Sequence, residues 1–371
     1  MMPPRAGKQQ PATKEETVEV DAVERKMNRV LNRSRSEVDV ASDDPPTVAV
    51  VVPTYKASGT IERVVRRALA VGDIVIVVDD ACPERSGELV RGLDRRVHVV
   101  VHESNRGVGG ATKTGMREAL ARGARYVAKI DSDDQMDTSY LPFMIEMLER
   151  YPELDLVKGN RFSSLTTLRT MPLLRLIGNA SATLLVKVSS GYWSLVDPTN
   201  GFIAARRDVL MNIDLDALDD RYFFETDLLC AFGLHRRIVA EVEMPAIYSE
   251  PPPRPWGLRT LLPFPVKLAQ RLFRRLLVQY FFAEINIGSL CLLTGVPLFL
   301  AGVVSTVRAA WNSPTSQNAG WSHSIELATL LIGSQLLIAA MFYDVLSSTA
   351  TRKLNRERTA SQSVRSRVRS R

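Results

Sequence analysis

The hydrophobic and polar positions of residues 47–133 alternate between two patterns. Continuous apolar runs such as TVAVVVPT at 47–54 are typical of strands buried on both faces. Stretches such as SGTIERVVRRALA at 58–70 carry apolar residues at helical spacing behind a serine that can cap a helix. This alternation predicts an α/β fold with a mostly parallel sheet and helices on both faces. The predicted strands are 47–54, 73–80, 97–104 and 125–133, and the predicted helices are 58–70, 86–93 and 109–123.

Two later stretches have the length and composition of membrane helices. Residues 287–307 contain no charged side chain, and about 20 apolar residues suffice for a helix to cross a bilayer. A second uncharged run, 327–343, lies at the short end of that range. A buried core helix is the alternative for each run, but two in succession are unusual in a soluble domain. We therefore predict two C-terminal transmembrane helices, preceded by interfacial or juxtamembrane helices over 251–286.

Charge is distributed unevenly along the chain. Residues 1–46 are polar without periodicity, which predicts a disordered N-terminal arm. The formal net charge is +7, and residues 351–371 form a basic tail with eight Lys or Arg and one Glu. Basic residues flank the two apolar runs on their outer sides, whereas the loop 308–324 carries one arginine. The positive-inside rule then predicts an integral membrane protein with both termini in the cytoplasm. We expect the tail to bind anionic lipid, and we expect no nucleic acid partner.

Polar residues collect where the predicted strands end, the edge at which parallel sheets bind ligands. After the fourth strand, Asp131 and Asp133 alternate with a serine, so their carboxylates can converge on a cation, and Gln135 can add an oxygen. Two such carboxylates suit a hard divalent ion whose other ligands are water and phosphate. A solvated acidic turn is the alternative. The other strand-end candidates are Thr54, Tyr55, Asp79 and Asp80.

The segment NRGVGGATKTG at 105–115 is rich in glycine but fits neither common phosphate-binding motif. It lacks the GK[ST] ending of a P-loop, and it follows the third predicted strand, whereas a dinucleotide site follows the first. Its glycines favour close approach of the backbone to a ligand at a helix start, where free N–H groups favour an anion. A simple flexible loop is the alternative.

Several motifs together resemble a known enzyme family. VVVPTYK, VVDD, NRGVGGATKTG, DSDDQ, GNRF and DPTNGF occur in the order and approximate spacing of family 2 glycosyltransferases. The chain most resembles the group of dolichol-phosphate mannose synthases and polyprenyl-phosphate glycosyltransferases, over about residues 47–250. The resemblance implies the A-type glycosyltransferase (GT-A) fold, with a Rossmann-like sheet, for a catalytic domain at 47–250. It also implies a nucleotide-sugar donor.

The same resemblance implies roles for the strand-end residues. Asp131, Asp133 and Gln135 would hold Mg²⁺ or Mn²⁺ against the donor diphosphate, whose departure the cation would stabilise. Asp79 or Asp80 would face the base or ribose. The donor-binding candidates are Pro53, Thr54, Tyr55, Asp79, Asp80, Lys113 and Asp131.

An acceptor-phosphate site is implied further along the chain. Residues 165–193 are apolar with sparse cations, as in a helix that lies in the membrane interface, although a core helix is the alternative. Asn179 stands where the group has serine, and the segment around Arg254 lacks the Gly-Ser-Lys of the group's mobile loop. The acceptor-side candidates are Arg161, Arg175, Asn179, Asp197 and Arg254.

Glu225 and Asp227 complete the candidate catalytic residues, together with Asp133. Their two-residue spacing lets one carboxylate face the sugar and the other face the protein. In family members that glycosylate a hydroxyl, a carboxylate here acts as general base. A phosphate acceptor is already ionised, so the role would then be to orient it.

The leading interpretation is a metal-dependent, inverting glycosyltransferase. It would move a sugar from a GDP- or UDP-sugar to dolichyl, undecaprenyl or decaprenyl phosphate at the cytoplasmic membrane face. One alternative is transfer to a hydroxyl of a lipid-linked or cell-wall glycan, and another is a non-catalytic membrane scaffold. A processive polysaccharide synthase is not predicted, because no Q-x-x-R-W motif occurs. The sugar, the nucleotide, the prenyl chain and homo-oligomer formation are left open.

Overall fold

The computed structural model describes residues 47–161, 173–245, 262–311 and 319–348. Within these ranges the chain forms one seven-stranded sheet in the order β3-β2-β1-β4-β6-β5-β7. Strands β3, β2, β1 and β4 are parallel, β6 is antiparallel to both β4 and β5, and β7 is parallel to β5. The predicted mostly parallel sheet is confirmed. The strands are β1 (Val48–Thr54), β2 (Ile74–Asp79), β3 (Val97–Val101), β4 (Tyr126–Lys129), β5 (Leu156–Asn160), β6 (Ile203–Arg206) and β7 (Val239–Glu243).

Helices cover both faces of the sheet, because successive residues of a strand point to opposite sides. In β1, Val50 and Val52 pack with helices α1 (Ile61–Leu69) and α3 (Leu141–Arg150). Ala49 and Val51 pack on the other face, against a second group of helices. That group contains α2 (Gly107–Ala121), α4 (Leu173–Ser190), α5 (Arg207–Met211) and α6 (Phe224–Leu234).

The strand register aligns the carboxyl ends that were expected to carry the site. Thr54 lies beside Asp79, and Val51 lies beside Lys129. The strand predicted over 125–133 ends at Lys129, where its pairing with β1 and β6 stops, and the acidic residues follow in a turn. The helix predicted over 86–93 is shorter too, a single 3₁₀ turn at Glu88–Val90.

The described residues from 262 onward form three long helices: α7 (Phe264–Leu277), α8 (Ile287–Trp311) and α9 (Ala319–Ser347). A short π-helical segment, Val278–Phe282, continues directly from α7. Helices α8 and α9 pack closely where glycine allows it, because a Cβ at Gly333 would lie 2.4 Å from the Phe299 backbone nitrogen.

Two stretches of these helices are long and apolar enough to cross a membrane, Ile287–Ala309 and Ser324–Ser347. Only 22% and 11% of their most apolar windows are buried, so the other described residues leave most of this apolar surface uncovered. Large uncovered apolar surfaces of this kind mark contact with a membrane or a partner. The second stretch is longer than the uncharged run 327–343, because the helix continues through Glu326 and Asp344. The apolar helices thus indicate membrane association.

Candidate active site

The carboxyl end of β4 meets two distant segments around one buried lysine. Lys129 is fully buried, and its Nζ lies 2.5 Å from Asp131 Oδ1 and 2.8 Å from Glu225 Oε1. Glu225 reaches this point from the first turn of α6. Gly201, in the loop before β6, faces the same three side chains, since a Cβ there would lie 2.5 Å from Lys129 Nζ and 3.0 Å from Asp131 Oδ2.

Electrostatics keep this lysine charged. Burial by itself would lower the pKa of Lys129, but the attraction of Asp131 and Glu225 outweighs it and raises the pKa above the usual value. One cation and two carboxylates leave the group with a net negative charge. Lys129 was not among the residues predicted from the sequence, although a charged residue inside the apolar run YVAKI is a signal that could have indicated it.

The acidic turn after β4 divides its carboxylates between two kinds of contact. Asp134, in a left-handed conformation with φ 63°, forms ion pairs of 2.8 Å with Arg63 and 2.7 Å with Arg67 on α1. Asp137 accepts a hydrogen bond of 3.0 Å from the Ser139 amide and so caps the next turn. These two carboxylates stabilise the turn that presents Asp131 and Asp133.

Asp133 and Asp131 are the carboxylates that a cation could bind. Although Asp133 is exposed, partial loss of hydration and the nearby negative charge of Asp131 raise its pKa. Its Oδ1 accepts a hydrogen bond of 3.1 Å from the Gln135 amide, which keeps Gln135 in the same turn. Oxygen donors with crowded negative charge fit Mg²⁺ or Mn²⁺. Over the four described ranges, no group of three or more His, Cys, Asp or Glu side chains is arranged to hold a metal ion.

On the predicted donor side, the end of β1 borders the site. Pro53 and Thr54 end the buried strand, and Tyr55 follows it with 45% of its surface exposed. The buried Thr54 Oγ1 has no hydrogen-bond partner among the described residues.

The two aspartates at the end of β2, Asp79 and Asp80, shape the neighbouring loops. Asp79 accepts hydrogen bonds of 2.7 Å from the Cys82 and Gly87 amides. Asp80 accepts from the Arg106 amide at 2.8 Å and the Gly107 amide at 2.7 Å. Asp80 thereby holds the start of α2, and its contact with a base or ribose stays a prediction.

The glycine-rich segment 105–115, whose glycines were expected to approach a ligand, lies close to protein backbone instead. A Cβ at Gly107 would lie 2.5 Å from the Asp220 carbonyl oxygen, and one at Gly109 would lie 2.3 Å from that of Asp219. Lys113 contacts the same segment: its buried ammonium donates to the Leu218 carbonyl oxygen at 2.8 Å and lies 2.6 Å from Asp220 Oδ1. These contacts dock α2 against the segment that precedes α6.

Glu225 and Asp227 contact different partners, and the contact of either with a sugar stays a prediction. Asp227 is 1% exposed, and it accepts from the Asp219 amide at 2.9 Å. Its Oδ1 lies 2.5 Å from Nε of Arg271, and its Oδ2 accepts from the same guanidinium at 2.8 Å. Asp227 thus binds α7, whereas Glu225 faces Lys129 and Asp131.

The acceptor-side candidates are described only in part. Arg161 Nε donates to Asp197 Oδ2 at 2.8 Å, and Asp197 is fully buried. The buried Lys158 donates to the Asp197 carbonyl oxygen at 2.7 Å. The side chains of Arg175 and Asn179 on α4, and all of Arg254, lie outside the described residues, as do the N-terminal arm 1–46 and the basic tail 351–371.

The acidic turn lies at the carboxyl edge of a mostly parallel sheet, the edge at which α/β proteins bind their ligands. The model of the family described as Glycosyl transferase family 2 matches residues 49–225, a range that includes the ends of β1 and β4, the acidic turn and Glu225.

Two relatives are similar to this chain over most of their own length. Polyprenol monophosphomannose synthase of Mycolicibacterium smegmatis is 31% identical over 223 residues, 57% of this chain and 82% of that protein. Undecaprenyl-phosphate mannosyltransferase of Micrococcus luteus is 31% identical over 211 residues, 55% of this chain and 84% of that protein. The chain therefore belongs to glycosyl transferase family 2. It is a glycosyltransferase, and its GT-A fold and its likeness to the polyprenyl-phosphate group are confirmed.

A solved structure is more distant. A mannosyltransferase from Pyrobaculum calidifontis in complex with GDP-Man and Mn²⁺ is 15% identical, with a TM-score of 0.38, and the match covers 84% of this chain and 94% of that one. At this distance the likeness carries no argument about residues.

Proposed function

We propose that this protein is a metal-dependent, inverting glycosyltransferase that transfers a sugar from a nucleotide-sugar donor to polyprenyl phosphate. The observation that carries the proposal is the convergence of Asp131 and Glu225 on Lys129, next to Gly201, where the absence of a side chain leaves room for these three groups. The names of the two 31% identical relatives, a polyprenol monophosphomannose synthase and an undecaprenyl-phosphate mannosyltransferase, support the acceptor class.

The donor would lie along the carboxyl edge of β1 and β4. Asp131 and Asp133, with Gln135, would hold Mg²⁺ or Mn²⁺, and that cation would stabilise the negative charge of the departing diphosphate. Thr54 and Tyr55 would border the nucleoside. The identity of base and sugar depends on pocket shape, so both GDP- and UDP-sugars belong in the test.

Glu225 would orient the acceptor. Its carboxylate lies 2.8 Å from Lys129 Nζ, and protonating it would remove one of the two anionic partners of that buried ammonium. A group held in this way suits an acceptor that arrives ionised better than one whose hydroxyl must lose a proton. The contact therefore favours a phosphate acceptor over the hydroxyl alternative.

The membrane would present that acceptor. We place α8 and α9 across the bilayer and the catalytic domain, with both termini, on the cytoplasmic side, because basic residues flank the two apolar stretches on their outer sides. The polyprenyl chain would then stay in the lipid while its phosphate reaches the sheet edge.

The test is product analysis with membranes that contain the protein, Mn²⁺ and a panel of labelled GDP- and UDP-sugars, with and without added polyprenyl phosphate. We expect label in a solvent-extractable, mild-acid-labile lipid that depends on the added phosphate, and no label with Asp131→Ala. Label in an acid-stable glycan, independent of that phosphate, would overturn the proposal in favour of hydroxyl transfer.

Glu225→Gln separates the two acceptors further. With a phosphate acceptor the variant should slow transfer, because orientation is impaired while the nucleophile is still ionised. With a hydroxyl acceptor it should abolish transfer, because the general base is lost.

A further inference from the structure

A cluster of four polar side chains joins the catalytic domain to the last apolar helix. We call Trp193, Arg275, Tyr280 and Asp344 the junction cluster. Trp193 follows α4, Arg275 lies near the end of α7, and Asp344 lies on α9. Arg275 is 3% exposed, so its charge is almost fully removed from water.

The Asp344 carboxylate is the centre of the junction cluster. It forms a bidentate pair with Arg275, with distances of 2.8 Å from Nη1 to Oδ1 and 3.0 Å from Nη2 to Oδ2. Tyr280 donates its hydroxyl to Oδ1 at 2.7 Å, and Trp193 donates Nε1 to Oδ2 at 2.8 Å. Bidentate, charge-assisted bonds of this kind fix direction as well as distance.

The same arginine reaches α4. Arg275 Nη2 donates to the Val188 carbonyl oxygen at 2.7 Å. Gly191, with φ 82°, allows this approach, since a Cβ there would lie 2.8 Å from Arg275 Nη1. The helix held in this way is the one that carries Arg175 and Asn179, two of the proposed acceptor residues.

The surroundings of the cluster are polar and incompletely packed. A cavity of about 70 Å³ lies between the catalytic domain, the segment that precedes α8 and the end of α9, and Arg236, Glu284 and Asn286 help to line it. A carboxylate on an apolar helix is costly unless it is paired, and such residues usually have a role. At this junction, directed polar bonds therefore join the catalytic domain and α7 to the end of α9.

We propose that the junction cluster sets the position of α4 relative to the bilayer, and that Arg275 and Asp344 are positioning residues for the lipid acceptor. The inference rests on the proposed function. A polyprenyl phosphate stays at the depth its chain imposes, so α4 must be held at a matching depth for the reacting atoms to align.

The test compares two acceptors in proteoliposomes with Mn²⁺ and the donor identified above. One acceptor is a long-chain polyprenyl phosphate in the bilayer, and the other is a short, water-soluble isoprenyl phosphate. For Asp344→Asn we expect the KM of the long-chain acceptor to rise about tenfold, within the usual range of coupling between sites. The KM of the donor and turnover of the soluble acceptor should stay unchanged, because the soluble acceptor reaches the site at any depth.

Two further variants complete the design. Asp344→Glu keeps the charge and should recover part of the long-chain KM. Glu326→Gln makes the same carboxylate-to-amide change at the other end of α9 and should leave both acceptors unaffected. Equal losses with both acceptors in Asp344→Asn, or no loss with either, would overturn the positioning role.

Hydrogen exchange supplies a readout that does not need activity. In Asp344→Asn the amides of residues 190–193 should exchange faster, while those of β1 and β4 stay protected. Unchanged exchange at 190–193 would overturn the inference even if the protein transfers sugar. If the unaltered protein uses neither acceptor, the proposed function fails, and the exchange result still decides whether the cluster holds α4.

Discussion

One added methyl group at Gly201 tests the candidate active site most directly. In Gly201→Ala the new Cβ would lie 2.5 Å from Lys129 Nζ, 3.0 Å from Asp131 Oδ2 and 3.4 Å from Glu225 Oε1. Non-bonded heavy atoms normally stay about 3.5–4.0 Å apart, so the ammonium would have to retreat by about 1 Å. Lys129 is fully buried, and a retreat moves its ammonium away from the two carboxylates that it now contacts.

The expected loss of activity is much larger than the expected loss of stability. Misplacing a reacting group by about 1 Å can cost about 100-fold in rate, and we expect that loss in kcat. Overpacking by one methyl group typically costs about 1–3 kcal/mol of unfolding free energy, so the variant should still fold. The assay is sugar transfer with Mn²⁺, alongside thermal unfolding of the same preparation.

Gly59→Ala is the matched control, because a Cβ at Gly59 would meet no atom of the described residues within 4 Å. It should keep the activity of the unaltered protein. If Gly201→Ala also kept full turnover and metal affinity, the groups around Gly201 would not be part of the reacting centre, and the proposed site would be wrong.

Three further predictions follow from the charges around the site. Asp131→Asn should raise the Mn²⁺ concentration needed for half-maximal transfer, because it removes one of two candidate carboxylate ligands. A chelator should abolish transfer by the unaltered protein until Mn²⁺ or Mg²⁺ is restored. Transfer that survives chelation would refute the metal site. Asp227→Asn should lower the unfolding free energy by about 2 kcal/mol, which is less than for a fully buried ion pair because the Arg271 side chain is 30% exposed. The same variant should reduce turnover less than Glu225→Gln does. Denaturant titration and kcat of both variants check these two expectations. Burial lowers the pKa of Lys158 to about 8, whereas the ordinary pKa of 10.5 is expected in the unfolded chain. Between about pH 8 and pH 10.5 the unfolded chain therefore binds more protons than the folded protein, so the unfolding free energy should rise with pH across this range. Lys158→Met should remove up to about 3 kcal/mol of that rise, and equal pH profiles for both proteins would contradict the lowered pKa.

Much of the architecture was predictable because its signals are local. The alternation of apolar runs and helical spacing over 47–133 predicted parallel strands with helices on both faces, and the structure confirms both. The position of Asp131 at the carboxyl edge of the sheet was predictable too, because it follows a predicted strand and parallel strands bring their carboxyl ends to one side. The apolar stretches of α8 and α9 were predictable from composition alone. The second stretch was predicted too short, because its bounds were set by the uncharged run 327–343.

The division of labour within the site depended on tertiary contacts. Glu225 and Asp227 are equivalent in the sequence, and only the packing of α6 directs one to Lys129 and the other to Arg271. The glycines of 105–115 marked a close approach, but only the fold shows that the backbone of Asp219 and Asp220 fills it.

Asp344 marks the same limit at the membrane end of the chain. In the sequence it ends an uncharged run, whereas in the structure it binds Arg275, 69 residues earlier. Hydrophobic periodicity reports which side of an element is buried, so the sequence by itself determined the elements, their order and the edge that carries the candidate site. The partner of a charged side chain depends on where distant segments are brought together, and that was decided only by the tertiary structure.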